Sequence, residues 1–144
     1  MRIRTSLFLV PLLLVCAASL VIARSTGPLA SSTGAPAIGG KPAEKNCNQT
    51  GCHTDFAINL PGATLTLLDV PATYWPDSTY TIRVRMTSTF TPAGTGRRWG
   101  FQLVAINAAT GDSAGTLQNV NANTQALYGT TTYASRRYIE HTLA

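Results

Sequence analysis

The sequence predicts an all-β protein, a sandwich of short strands, and three observations lead there. Segments of alternating apolar and polar residues recur through the second half of the chain. Turns rich in Gly, Pro and Asn separate them. No segment carries the apolar period of an amphipathic helix. The composition agrees: Ser, Thr, Asn and Gly are plentiful while charged residues reach only 12%, and Thr with the β-branched residues fits a pleated surface. At 144 residues the chain holds one domain.

The strands are expected as follows. Residues 63–70 alternate and end at Pro71. Residues 80–86 alternate strictly, with Tyr80, Ile82, Val84 and Met86 on one face and Arg83 and Arg85 on the other. Residues 99–106 form a third strand, with Phe101 and Leu103 on one side. A turn follows over 107–112, and 113–117 returns as a short strand. Residues 118–132 are polar and read as a loop. Residues 133–142 supply one more strand. A sandwich usually holds about seven strands. The shortfall, with a chain that stops at Ala144, suggests a C-terminally incomplete sandwich over 62–144.

The N-terminus reads as a secretory signal over residues 1–23. Arg2 and Arg4 form the basic region, residues 7–23 are almost wholly apolar, and Val21-Ile-Ala23 suits a signal peptidase. The alternative is an uncleaved anchor, but this run is short for a bilayer. Cleavage removes Cys16 and leaves no stable membrane span. The net charge of +5, less the two signal arginines, becomes +3. Its basic residues fall in scattered pairs, which excludes a nucleic-acid footprint. Residues 24–61 read as an irregular, loosely packed arm. Their first part is rich in Ser, Thr, Gly, Pro and Ala, including Gly39-Gly40-Lys-Pro42.

The arm carries the chemically loaded element Cys47-Asn-Gln-Thr-Gly-Cys52-His53. Covalent haem attachment needs two thiols for the porphyrin vinyl groups and an imidazole directly after the second Cys for the iron. The usual spacing is two residues; here it is four, with the Cys52-His53 adjacency kept. Cys47 and Cys52 are thus candidate thioether anchors of one haem c, and His53 its proximal ligand. A second axial ligand would be His or Met. Met86 lies on the apolar face of a strand and reads as packing; His141 is the candidate distal ligand. Two other readings stay open: a Cys47–Cys52 disulfide, which the oxidising compartment permits, and a zinc set of Cys47, Cys52, His53 and His141. Asn48-Gln-Thr50 also matches a glycosylation acceptor, a motif common by chance.

Several segments together resemble a known family. Thr33-Gly-Ala-Pro36, the Cys…Cys-His element, Pro71-Ala-Thr-Tyr-Trp-Pro-Asp-Ser-Thr-Tyr-Thr81, Arg98-Trp-Gly-Phe-Gln-Leu103, Ala114-Gly-Thr-Leu117 and Tyr138-Ile-Glu-His-Thr142 follow in that order. This is similar to the bacterial choice-of-anchor V domain and to the reelin N-terminal (Reeler) domain. The resemblance implies an extracellular, immunoglobulin-like β-sandwich, often held at the cell surface by a C-terminal anchoring segment that this chain lacks. By position, Cys47, Cys52 and His53 match the family's haem-like element, and His141 matches the histidine of its Glu-His-Thr stretch. The family usually shows the two-residue spacing, from which this chain departs.

The expected function is an exported haem-binding or electron-transfer module with an extracytoplasmic redox partner. The alternative is a structural or adhesive surface domain stapled by Cys47–Cys52. An enzyme is not expected: there is no nucleophile elbow, no phosphate loop, and only six acidic residues are spread along the chain.

Overall fold

The computed structural model describes residues 27–49, 57–90 and 99–142. Within them the chain is built almost wholly from strands. These are β1 (Ala63–Leu68), β2 (Arg83–Ser88), β3 (Gln102–Val104), β4 (Thr124–Tyr128) and β5 (Arg137–His141). One 3-10 turn, Thr131–Tyr133, precedes β5. The strands form two antiparallel sheets, β1-β2 and β3-β5-β4. Among the described residues no strand of one sheet comes within 8 Å, Cα to Cα, of a strand of the other.

The β1-β2 pair follows the sequence pattern closely. Leu65 lies opposite Met86 and Leu67 opposite Val84, so these four share a face. Arg83 and Arg85 point the other way and are exposed, as the alternation predicts. Thr64 and Thr87 join across the strands through their hydroxyls at 2.6 Å. Asp69 leaves β1 in the left-handed region, φ 62°, and accepts Arg83 Nε at 2.5 Å. Leu65 remains 59% exposed and Leu67 40%.

In the second sheet β5 is central, flanked by β3 and β4. Register places Gln102, Glu140 and Gln125 in one row and Val104, Tyr138 and Leu127 in the next row of the same face. Leu103, Ile139 and Ala126 occupy the opposite face, with His141 and Thr124 beside them. Tyr138 and Ile139 are the buried hydrophobic residues among those described.

Two expectations need correction. The polar stretch read as a loop contains β4, and the return strand over 113–117 is a single bridge between Ile106 and Ser113. β4 escaped notice because Gln125, on the face beneath the arm, is polar: its amide donates to Glu140 Oε1 at 2.8 Å. A polar partner there replaces the apolar side chain that alternation looks for.

Candidate functional site

The segment leading to Cys47 is not loosely packed over its described part. Residues 34–45 form a small hairpin. Gly34 N–H donates to the Lys45 carbonyl at 2.8 Å, Glu44 N–H to Ala35 at 2.8 Å, and Ile38 and Lys41 exchange both backbone bonds at 3.1 Å. The turn is Gly39-Gly40, at φ 57° and 75°. Positive φ at both central residues marks a tight two-residue hairpin turn, which Gly adopts without penalty. The Gly-Gly pair was the available signal; the surrounding Ser, Pro and Ala made it read as a linker.

This hairpin lies over the sheet face that carries Glu140 and Tyr138. At its tip, a side chain on Gly39 would collide with the Gly111 backbone, so the two turns meet main chain against main chain. Lys41 pairs there with Asp112 at 3.2 Å and donates to the Thr132 carbonyl at 3.2 Å. At its base, the Ser32 amide donates to Gln102 Oε1 at 2.8 Å. The Gln102 amide in turn donates to Glu140 Oε2 at 2.8 Å and to the Leu29 carbonyl at 3.1 Å.

Between tip and base stands a buried ion pair. Arg136 Nη1 donates to Glu44 Oε1 at 2.6 Å, with both side chains 0% exposed. The same carboxylate accepts Tyr138 OH at 2.5 Å and Thr33 Oγ1 at 2.5 Å. Arg136 Nε donates to the Gly111 carbonyl at 2.7 Å. Its guanidinium lies 4.9 Å from the centre of the Tyr133 ring, whose hydroxyl donates between the carbonyls of Pro42 and Ala43 at 3.2 and 3.0 Å. Arg136 Nη2 has no hydrogen-bond partner among the described residues; the ring contact is its nearest compensation.

Burial would push the Glu44 carboxyl up, but the hydrogen bonds from Thr33, Tyr138 and Arg136 together hold it below its ordinary 4.5. The Tyr138 phenol is pushed up to about 12, first by burial and then by its bond to Glu44. Sequence reasoning passed over Glu44, Arg136 and Tyr138. An isolated Glu in a Gly- and Pro-rich stretch gives no hint of a partner 92 residues away.

Cys47 follows the hairpin by two residues. It is exposed, and its Sγ lies 3.7 Å from the Ser32 carbonyl. Cys52 and His53 lie outside the described residues, as does the signal segment 1–23. The two-Cys, two-His zinc set and the Cys47–Cys52 disulfide therefore each have members outside that range. Among the described residues no three His, Cys, Asp or Glu side chains converge on a metal-sized site, and no helix is long and apolar enough to cross a membrane.

His141 ends β5 and projects from the face opposite Glu140 and Tyr138, because successive strand residues alternate. Its Nδ1 lies 3.0 Å from the Phe101 amide nitrogen and 3.1 Å from the Phe101 carbonyl oxygen. The ring packs over Gly100 so closely that a side chain there would come within 2.7 Å of Cε1. Where Phe101 N–H donates to Nδ1, the ring proton sits on Nε2; in the other tautomer Nδ1–H donates to the carbonyl and Nε2 keeps its lone pair. An exposed Cys47 thiol and a ring held by its Nδ1 side fit thioether attachment and axial ligation. The arm, however, covers the face away from His141.

Compared with protein-family models, with curated proteins and with solved structures, the chain matches none.

Proposed function

We propose that this protein is an exported module carrying one covalently attached haem c, serving electron transfer with an extracytoplasmic redox partner. The Cys47-x4-Cys52-His53 element, starting from a hairpin tied to the sheet, is the observation that carries this reading. Cys47 and Cys52 would be the thioether anchors and His53 the proximal ligand. His141 is the candidate distal ligand, supported by the backbone contact that orients its ring. When bound, the haem supplies a one-electron couple; the protein's part is to hold and orient it. In fold the reading is an immunoglobulin-like sandwich of the Reeler and choice-of-anchor V kind. It is supported by the one apolar face that each sheet presents.

Secretion of the full chain alongside a haem-maturation system tests the proposal. A covalent Soret band, with a mass gain of one haem, is expected, and Cys52→Ser should leave at most one thioether. A folded but colourless product would overturn it.

A second reading, a structural or adhesive surface domain, draws on a different observation. Tyr74, Trp75 and Phe90 are large side chains left more than half exposed, as a contact surface requires. A mass lower by two hydrogens, without haem, would identify the Cys47–Cys52 disulfide that belongs to it.

A further inference from the structure

The haem reading names the ligands and leaves open what places them. Cys47 stands three residues beyond Glu44 and two beyond Lys45, whose carbonyl closes the hairpin onto Gly34. The buried polar contacts of the hairpin with the sheet centre on one carboxylate. Glu44 receives Arg136 and Tyr138 from the sheet side, and Thr33, the residue just before its hairpin. Arg136 is held from a second direction, since Tyr133 stacks on it and reaches back to Pro42 and Ala43. Cys47 Sγ also approaches the Ser32 carbonyl at 3.7 Å, and Ser32 is itself held by Gln102.

Resting on the haem reading, we infer that Glu44 is the positioning residue of the attachment element. Its buried pair with Arg136 locks the hairpin onto β5 and so fixes where Cys47 meets the porphyrin. Attachment adds the Cys47 S–H across a vinyl double bond, sulfur to one carbon and hydrogen to the other, with no further reactant. The step needs the thiol and the vinyl group to meet in one geometry, and a thiol on a released hairpin samples many. Cys52 is farther along the chain, so loss of the lock should fall more heavily on Cys47.

The test uses the full chain secreted with a haem-maturation system. It compares the wild type, Glu44→Gln, Glu44→Asp and Tyr138→Phe, which removes one bond to the same carboxylate and serves if Glu44→Gln fails to fold. Two readouts are taken: amide exchange, and the mass and potential of the haem product. In Glu44→Gln the amides of Gly34, Ile38, Lys41 and Glu44 should lose about tenfold or more of their protection, while those of β5 keep theirs. The loss should extend to Asn48, whose amide now donates to the Asn46 side chain at 2.9 Å. Doubly attached haem should fall severalfold in favour of singly attached product, the remaining holoprotein should shift in potential, and Glu44→Asp should recover part of both.

Hairpin opening with unchanged double attachment and unchanged potential would overturn the positioning role. Unchanged protection in both Glu44→Gln and Tyr138→Phe would overturn the lock itself. If the wild type takes up no haem, the haem reading fails separately. Exchange at Asn48 then decides whether Glu44 fixes the Cys47 segment: lost protection supports it, and retained protection rejects it.

Discussion

The two sheets are made of similar strands and lead different lives. The β1-β2 pair has the cleaner alternation, yet β1 is exposed along nearly its whole length and Leu65 and Leu67 face solvent. The β3-β5-β4 sheet has the poorer pattern, yet its central strand carries three consecutive buried residues, Tyr138, Ile139 and Glu140. The difference lies in what covers each sheet. A segment with no apolar period covers one face of β5, through Glu44, Ser31, Ser32 and Leu29. Alternation reports that a strand has two unlike faces; it does not report what packs on them.

Breaking the buried pair should have the largest effect. Arg136→Ala leaves the Glu44 carboxylate buried without its cation, a change that costs about 3–5 kcal/mol. Urea unfolding followed by tryptophan fluorescence would measure it, and a loss below about 1 kcal/mol would show the pair to be dispensable. Next comes the apolar side of the same sheet. Ile139→Ala, at an 8% exposed position, should cost about 2–5 kcal/mol in the same assay.

Acid sharpens the comparison. The Glu44 carboxyl titrates lower in the folded state than its ordinary 4.5, so the unfolded chain binds the extra proton. The contribution of Glu44 is therefore present above pH 4.5 and lost as pH falls through the depressed folded value. The melting temperature should drop over that range in the wild type and drop less in Glu44→Gln. Tyr138 behaves in the opposite sense: raised from 10.0 to about 12, it contributes stability below pH 10 that is lost as pH rises toward 12. The smallest effect belongs to the exposed β1-β2 pair. Leu67→Ser should change unfolding stability by no more than about 0.5 kcal/mol; a loss of 2 kcal/mol or more would mean that this face is covered in solution.

Much of the fold was legible. β1 falls inside the predicted 63–70, β3 inside 99–106 and β5 inside 133–142, because apolar and β-branched residues carry their faces. β2 overlaps 80–86 but starts three residues later and runs to Ser88. What stayed hidden was polar burial. Gln102, Gln125 and Glu140 sit beneath the arm as a hydrogen-bonded row, and Glu44 pairs with Arg136 across most of the chain. Each looks like a surface residue when read alone, since its value depends on a partner distant in sequence. For the candidate site, residue type singles out Cys47 and His141 but not where they stand: the hairpin leading to Cys47 lies on the Glu140 face of β5, and His141 projects from the other. Residue type nominates a candidate; only the strand's alternation, counted from Tyr138, tells which side it faces.

Gly100 then gains a practical meaning. Its missing side chain leaves the room that the His141 imidazole occupies. Replacing it with alanine removes no candidate ligand, thiol or charge, yet obliges the His141 ring to turn or lift. Gly100→Ala is therefore a spectroscopic dial: the proton resonances of His141 should move with Cys47, Cys52 and His53 intact. If His141 serves the iron, the colour of the protein should move with them.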